Sequence, residues 1–172
     1  MNIFATIVGL EDELKTPLVR YYTVALDEDG EQTNLLAAFI LKHRGNEDIS
    51  EEYNDLLAWI VERMGGMHGA KPKFFRFEGK ADALPPPSHF LDVEYEHNLR
   101  LYCMRLSDHV VILFNGGVKT ADKAQKCPVV APHFHMAQKL CKAIQEAIKN
   151  KEIALMNEET ELSIPEGFEM IL

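Results

Sequence analysis

The stretch of sequence that decides the fold is LRLYCMRLSDHVVILFNGGVKT, residues 99–120. Leu99–Leu106 and Val110–Asn115 are rich in aromatic, branched and other apolar residues, which favour strands. The short polar segment Ser107-Asp-His109 suits a tight turn, so the two segments predict an antiparallel hairpin. Gly116-Gly117 is expected to end the second strand, because glycine frees the backbone for a sharp exit.

Upstream of the hairpin, the patterns predict one strand and two helices. Arg20–Leu26 is aromatic and β-branched and is followed by the turn-forming run Asp27–Gly30. Apolar residues at helical spacing predict a helix over Gln32–His43. A second helix is predicted with Asp48 or Ser50 as its cap and with Gly65-Gly66 at its end.

Three further segments complete the secondary structure. Lys73–Phe77 predicts a short strand, whereas Leu84-Pro-Pro-Pro87 cannot lie inside a sheet because proline lacks the N–H donor. A final helix is predicted after Pro132. Its buried stripe is Phe134, Ala137, Cys141, Ile144 and Ile148, and its basic outer face carries His135, Lys139, Lys142 and Lys149.

This order predicts an α+β fold: a strand, two helices, then an antiparallel sheet with a C-terminal helix. The 172 residues fit one domain over residues 1–150, with residues 1–19 as an N-terminal extension. Residues 151–172 read as an acidic C-terminal tail, with an extra strand expected within Ile153–Met156 or Glu161–Ile164.

Composition indicates a globular, cytoplasmic protein, with 47% hydrophobic and 26% charged residues. No apolar stretch is long enough to span a bilayer, and the N-terminus lacks the basic lead of a signal peptide, so no membrane association is expected. The cysteines, Cys103, Cys127 and Cys141, are interpreted as reduced thiols. Cys103 lies beside Arg100 and Arg105, which would lower the pKa of its thiol, but a buried structural thiol is the alternative favoured.

The net charge of −9 argues against a general nucleic-acid binder, but the charge is unevenly distributed. Residues 99–149 carry eight Lys and Arg against three Asp and Glu, whereas residues 150–172 carry one Lys against six Glu. Such asymmetry indicates a side of the protein that faces a polyanion, with chance variation on a solvated surface as the alternative.

The chain lacks phosphate-binding glycine loops, zinc-protease and serine-hydrolase motifs. His133-x-His135 has no third ligand, so neither a metal nor another cofactor is expected. A basic and aromatic set around the hairpin remains: Arg76, Lys80, Arg100, Tyr102, Arg105, Lys119 and Lys123. Strand alternation places Arg100 and Tyr102 on one face and Arg105 on the other. Such residues suit metal-independent RNA cleavage, although lone cations on edge strands also protect against aggregation.

The chain resembles the RelE/ParE toxin superfamily. The resemblance is carried by Ala83-Leu-Pro-Pro86, by Leu99–Leu106 with its arginines, by Val110–Thr120 ending in Lys-Thr, and by the helix near Phe134. The segment Asp92–Asn98 stands where the family often has another arginine-bearing strand, and the net charge is acidic where these toxins are usually basic.

The resemblance implies a toxin of a type II toxin–antitoxin pair that cleaves messenger RNA, free or on the ribosome, and that a small antitoxin protein silences. Arg100, Tyr102, Arg105 and Lys119 match catalytic positions, and the RNA-binding residues expected are Arg76, Lys80, Lys123, Lys139 and Lys142. A non-catalytic protein-interaction module on the same scaffold is the alternative, and the oligomeric state stays open.

Overall fold

The computed structural model describes residues 2–91, 95–120 and 123–172. The strands in these ranges are β1 (Phe4–Gly9), β2 (Arg20–Glu28), β3 (Glu31–Asn34), β4 (Arg76–Glu78), β5 (Ala81–Leu84), β6 (Leu99–Ser107), β7 (Val110–Val118), β8 (Ala154–Met156), β9 (Glu161–Ser163) and β10 (Met170–Ile171). The α-helices are α1 (Leu35–His43), α2 (Ser50–Ala58) and α3 (Ala131–Lys149). This content confirms the α+β class.

The main sheet has the order β10-β1-β2-β7-β6-β5-β4, with β3 paired to the end of β2. Its neighbouring strands are antiparallel except β2 and β7, which pair in parallel from Arg20 opposite Val110 to Thr23 opposite Leu113. Parallel neighbours need a crossover connection. Here the chain between β2 and β7 supplies both α1 and α2 and the strands β4, β5 and β6.

The predicted hairpin is confirmed as β6 and β7, but β7 does not stop at the two glycines. It continues through Gly116 and Gly117 to Val118. Gly116 lies opposite Leu101, and a Cβ built there would sit 1.9 Å from the Arg100 carbonyl oxygen. The glycine therefore allows the two strands to approach closely, and it does not break the strand.

The sheet is buried on both faces because the side chains of β6 alternate between two cores. Leu101 and Cys103 join the core formed with α1 and α2, whereas Tyr102 and Met104 join the core beneath α3. From α3 the buried residues are Phe134, Ala137, Leu140, Cys141, Ile144 and Ala147. The predicted stripe ends at Ile148, but the side chain of Ile148 is only partly buried.

The first two helices begin and end differently from the prediction. Helix α1 starts at Leu35, because Glu31–Asn34 pairs with β2 and the Asn34 side chain caps the helix at Ala37 N–H (3.0 Å). Neither Asp48 nor Ser50 caps α2; the Asn46 side chain instead caps a preceding 3₁₀ turn. After α2 the chain continues as a π-helix over Trp59–His68, through the glycines expected to stop it.

The segment between the helices and the hairpin also departs from prediction. A 3₁₀ turn over Pro72–Phe74 takes up the start of the strand expected there, and β4 covers only Arg76–Glu78. The sequence does not predict β5, but the prolines after Leu84 lie outside the strands as expected. Helix α3 begins at Ala131 and holds Pro132 in its first turn, where a missing N–H has no intrahelical partner to lose. Asp92–Glu94 lie outside the described residues.

Both chain ends contribute to the main sheet. Strand β1, from the segment expected to be an extension, pairs with β2, and β10, from the segment expected to be a tail, pairs with β1. One extra strand was expected in either of two tail segments; both segments form strands, β8 and β9, which pair with one another. Residues at both ends therefore belong to the same packed unit as the hairpin.

Gly116→Ala should destabilise the protein much more than Gly117→Ala. The added methyl at Gly116 meets a backbone carbonyl that cannot rotate away, whereas at Gly117 it meets the methyl groups of Val129 and Val130 at 3.4 Å, an ordinary contact. We expect Gly116→Ala to lower the free energy of unfolding by about 2–3 kcal/mol, and Gly117→Ala by less than about 1 kcal/mol. Urea denaturation of both variants measures this. Equal losses would contradict the close approach of β6 and β7.

Candidate functional site

A row of side chains crosses strands β4, β5 and β6 on the face covered by α3. Arg76 pairs with Ala83, which pairs with Tyr102, so these residues share one face of the sheet. Glu78 and Arg100 are two residues from Arg76 and Tyr102 along their strands and are on the same face. The structure therefore brings together Arg76, Arg100 and Tyr102 from the predicted set.

Arg76 is held by the proline-rich segment. Its guanidinium donates from Nε to the Pro85 carbonyl (2.9 Å) and from Nη2 to the Pro86 carbonyl (2.9 Å). These carbonyls follow the end of β5, so they are free to accept a side-chain donor. Burial lowers the pKa of Arg76, and the nearby Glu78 carboxylate opposes that shift. Arg76 is thus a fixed cation in this row.

Arg100 carries its charge in a largely buried position. Burial and the neighbouring charge of Arg76 lower the pKa of Arg100 to about 10, although Glu78 acts in the opposite direction. Its Nη1 donates to the Leu99 carbonyl (3.0 Å), while its Nε is buried without a hydrogen-bond partner among the described residues. Arg100 stays protonated at neutral pH and keeps an unused donor.

Tyr102 lies deepest in the row, with 0% of its surface exposed. Its ring meets Phe134 of α3 edge-on, with the ring centroids 6.0 Å apart. The hydroxyl finds no hydrogen-bond partner within the described part of the chain. Burial and the charge of Glu78 raise the pKa of Tyr102, so the hydroxyl keeps its proton and is a donor.

Lys119 and Glu78 form an ion pair at the outer side of the row. Lys119 Nζ lies 4.0 Å from Glu78 Oε1, and their side chains keep only 17% and 15% exposure. The Lys119 backbone N–H donates to the Asn98 carbonyl (2.7 Å), and the Glu78 carbonyl accepts from Gln138 Nε2 of α3 (2.6 Å). We define the polar cluster as Arg76, Glu78, Arg100, Tyr102 and Lys119.

Cys127 borders the polar cluster at the start of α3. Its sulfur lies 3.2 Å from the Thr120 hydroxyl oxygen and 3.4 Å from the Thr120 nitrogen. Burial by itself would raise the pKa of the thiol, but hydrogen bonds from Thr120 and from the backbone N–H groups of Val130 and Val129 outweigh it. They lower the pKa of Cys127 to about 6.

The other two cysteines behave differently from Cys127. Burial raises the pKa of Cys103 and raises that of Cys141 to about 12. The structural interpretation of Cys103 is therefore confirmed, and its neighbouring arginines do not activate it.

Arg105 lies away from the polar cluster, on the opposite face of β6. Its Nε donates to the Ala70 carbonyl (2.6 Å), and its Nη2 forms an ion pair with Asp108 (2.6 Å). Asp108 also pairs with Lys71 at 2.5 Å, and both cations lower the pKa of its carboxyl group. Arg105 therefore supports the turn between β6 and β7, and the structure does not bring it to the other predicted catalytic residues.

The predicted RNA-binding lysines are exposed on the surface. Lys80 is exposed, and its backbone N–H donates to Gln138 Oε1 of α3 (2.7 Å). Lys139 and Lys142 are exposed on the outer side of α3, three residues apart, and so share one face of the helix. Lys123 is exposed just before the 3₁₀ turn Ala124–Lys126.

Sequence reasoning missed Glu78 and Cys127. Glu78 could have been found from the alternation in Arg76-Phe-Glu78, because residues two apart on a strand share a face. Phe77 between them is 89% exposed on the other face. Nothing local pointed to Cys127, because its partner Thr120 lies seven positions away in the sequence.

Searches with protein-family models and against curated proteins and solved structures found nothing that matches this chain. Among the described residues, no group of three or more His, Cys, Asp or Glu side chains is placed to hold a metal ion. Nor does any helix in the described ranges have the length and apolar character needed to cross a membrane.

Tyr102→Phe should stabilise the protein, whereas Tyr21→Phe should destabilise it. Both rings are buried, but the Tyr21 hydroxyl donates to the Ile60 carbonyl (2.7 Å) and the Tyr102 hydroxyl has no partner in the described structure. Removing an unpaired buried hydroxyl should raise the free energy of unfolding by about 1 kcal/mol, and removing a paired one should lower it by about 1 kcal/mol. Thermal unfolding of the two variants tests this. A loss at Tyr102 as large as that at Tyr21 would contradict it.

Proposed function

We propose that this protein is a RelE-like toxin that cleaves messenger RNA without a metal and that a small antitoxin protein restrains. The observation that supports the proposal is the convergence of Arg76, Arg100 and Lys119 on one spot of the sheet, together with Tyr102 and Glu78. Three cations around one carboxylate leave a net positive spot on a chain whose total charge is −9. A phosphodiester is a ligand of matching charge.

The reaction needs a base, a proton donor and stabilisation of the charge on phosphorus. The 2′-oxygen attacks the phosphorus, the bond from phosphorus to the 5′-oxygen breaks, and a 2′,3′-cyclic phosphate forms. Glu78, as a carboxylate, accepts the 2′-hydroxyl proton. Tyr102, the protonated hydroxyl of the cluster, is the group available to protonate the departing 5′-oxygen, and Arg100 and Lys119 stabilise the developing negative charge.

Substrate entry requires the outer pair of the polar cluster to separate. Lys119 and Glu78 are both partly exposed, and they meet at 4.0 Å, the long end of an ion pair. A phosphate that binds Lys119 displaces Glu78 from it and reaches Arg100 behind them. The exposed lysines on the outer side of α3 would hold the backbone of a bound RNA through its phosphates.

A non-catalytic protein-interaction module is the second candidate. One support is that the side chains of the polar cluster are little exposed. The other is the exposed Phe77 ring on edge strand β4, where a partner chain would find an apolar contact and unpaired backbone groups. The two candidates differ in whether Arg100 and Lys119 matter to the biological effect.

Expression of the wild-type protein should arrest bacterial growth, and Arg100→Ala combined with Lys119→Ala should relieve the arrest. Purified protein should cleave free messenger RNA in EDTA, and ribosome-bound messenger RNA in the magnesium buffer that ribosomes need. The double variant should be slower by roughly 100-fold or more, as expected on removing charge stabilisation from a transition state. Lys42→Ala combined with Arg44→Ala removes the same two residue types from exposed positions on and just after α1, and should act as wild type. Equal toxicity and cleavage in both double variants would refute a catalytic role for the polar cluster. A harmless, inactive wild type would favour the interaction module.

Lys139→Ala combined with Lys142→Ala should weaken RNA binding and reduce its salt dependence. Each lysine that neutralises a phosphate of a single strand contributes about 0.7 to the slope of log K against log salt concentration, so removing two should reduce the slope by about 1.4. Fluorescence anisotropy with a single-stranded RNA at several salt concentrations measures the slope, with Lys42→Ala as the control. A wild-type slope near zero would remove the basic face from the proposal.

A further inference from the structure

A small cleft opens beside the core that α1 and α2 form, on the other face of the sheet from the polar cluster. Its volume is about 170 Å³. Sites for drug-sized ligands hold about 300–1,000 Å³, so this cleft suits a small chemical group. We define the aromatic cleft by five of its lining residues, Asp55, Trp59, Arg63, Phe90 and Tyr95.

The rings at the aromatic cleft are fixed at steep angles to one another. Phe90 meets Trp59 edge-on, with the ring centroids 6.4 Å apart and an angle of 74° between the planes. Phe74 supports both rings, with its centroid 5.3 Å from that of Phe90 and 5.2 Å from that of Trp59. The face of an aromatic ring is electron-rich, so rings held in this way attract a positive charge.

A cation of the chain itself already lies on the Trp59 ring. Arg63 follows Trp59 by one turn of the π-helix, and its Cζ lies 5.5 Å from the centroid of the Trp59 ring. Helical side chains lean toward the N-terminus of their helix, which is how Arg63 reaches back to this ring. Arg63 is exposed, so its guanidinium can move into water and leave the ring to another cation.

Carboxylates of α2 give the aromatic cleft a negative side. Asp55 lies one turn before Trp59, and its carboxylate accepts a hydrogen bond from the Tyr95 hydroxyl. Burial, this hydrogen bond and the charges of Asp55, Glu51 and Glu52 all raise the pKa of Tyr95, so its hydroxyl keeps the proton that it donates. The aromatic cleft therefore combines ring faces with negative charge, the combination that favours a cationic ligand.

We propose that the aromatic cleft binds a quaternary ammonium group, carried by a free small molecule or by a methylated lysine side chain. Such a group is positively charged but has no N–H, so it loses little when ring faces replace water around it. An ordinary ammonium would need acceptors for its N–H groups, and the Asp55 carboxylate already accepts from Tyr95. On binding, the ligand displaces Arg63 and places its methyl groups against Trp59 and Phe90.

Fluorescence of the full-length protein tests this directly, because Trp59 is the only tryptophan in the chain. Titration with choline should give a saturable change, tighter by at least about 10-fold than with 3,3-dimethylbutan-1-ol, the neutral molecule of the same shape. Sodium chloride at matched concentrations controls for ionic strength. A peptide with trimethyllysine, compared with the unmodified peptide and with choline, shows whether the group is attached to a protein. A linear response to choline, or equal affinity for the neutral molecule, would overturn the proposal.

Two variants with opposite expected effects test the roles of charge in the aromatic cleft. Asp55→Asn should weaken choline binding by roughly 5-fold while leaving the neutral molecule unaffected, and Asp48→Asn, at an exposed position before α2, should bind as wild type. Arg63→Ala removes the competing cation and should tighten choline binding by about 2- to 5-fold. Unchanged or weaker binding by Arg63→Ala would overturn the proposal even if Asp55→Asn failed to fold. The aromatic cleft shares no residue with the polar cluster, so these outcomes are separate from those of the nuclease proposal.

Discussion

The close pairing of β6 with β7 is the interaction on which the rest of the structure depends. It requires a glycine at position 116, because the Arg100 carbonyl occupies the place of a side chain there. One strand of the pair carries Arg100 and Tyr102, and the other leads into Lys119 and then, through the loop, to Cys127. The parallel pairing of β7 with β2 joins this hairpin to the strands from both ends of the chain. A change in the hairpin register would therefore disturb the core and the polar cluster together.

The polar cluster contains buried positive charges and buried donors, and neighbouring groups offset their cost only in part. Burial lowers the pKa of Arg76 and of Arg100, the charge of Arg76 lowers the pKa of Arg100 further, and Glu78 is the carboxylate that offsets both shifts. The prolines after β5 hold Arg76 through their carbonyls, and α3 covers Tyr102. Two buried donors, Arg100 Nε and the Tyr102 hydroxyl, still lack partners in the described residues. Unpaired groups of this kind are costly for stability, and a catalytic role is one of the reasons for which a fold retains them.

Local patterns predicted the elements whose boundaries are set by nearby residues. The β6–β7 hairpin, strand β2 and the amphipathic α3 were all visible in the sequence, because alternation and helical spacing reflect which side chains must be buried. The errors came where tertiary contacts override local preference. Glu31–Asn34 reads as the start of a helix but pairs with β2, and Gly65-Gly66 reads as a helix end but lies inside a π-helix. The two ends of the chain were expected to lie outside the main domain, because nothing in either segment shows that β1 and β10 pair with one another across the whole length of the sequence.

The sequence by itself determined the α+β class, the hairpin with Arg100 and Tyr102 on one face and Arg105 on the other, and the basic outer side of α3. These follow from periodicity, which each segment carries within itself. Only the tertiary structure decided that Arg76 lies in line with Tyr102 across β5, that Lys119 meets Glu78, and that Cys127 borders the same spot. These contacts join residues separated by tens of positions, and they depend on the order in which strands assemble. That order is set by the packing of whole sheet and helix faces against one another. The hydrophobic periodicity of a single segment carries no information about this packing.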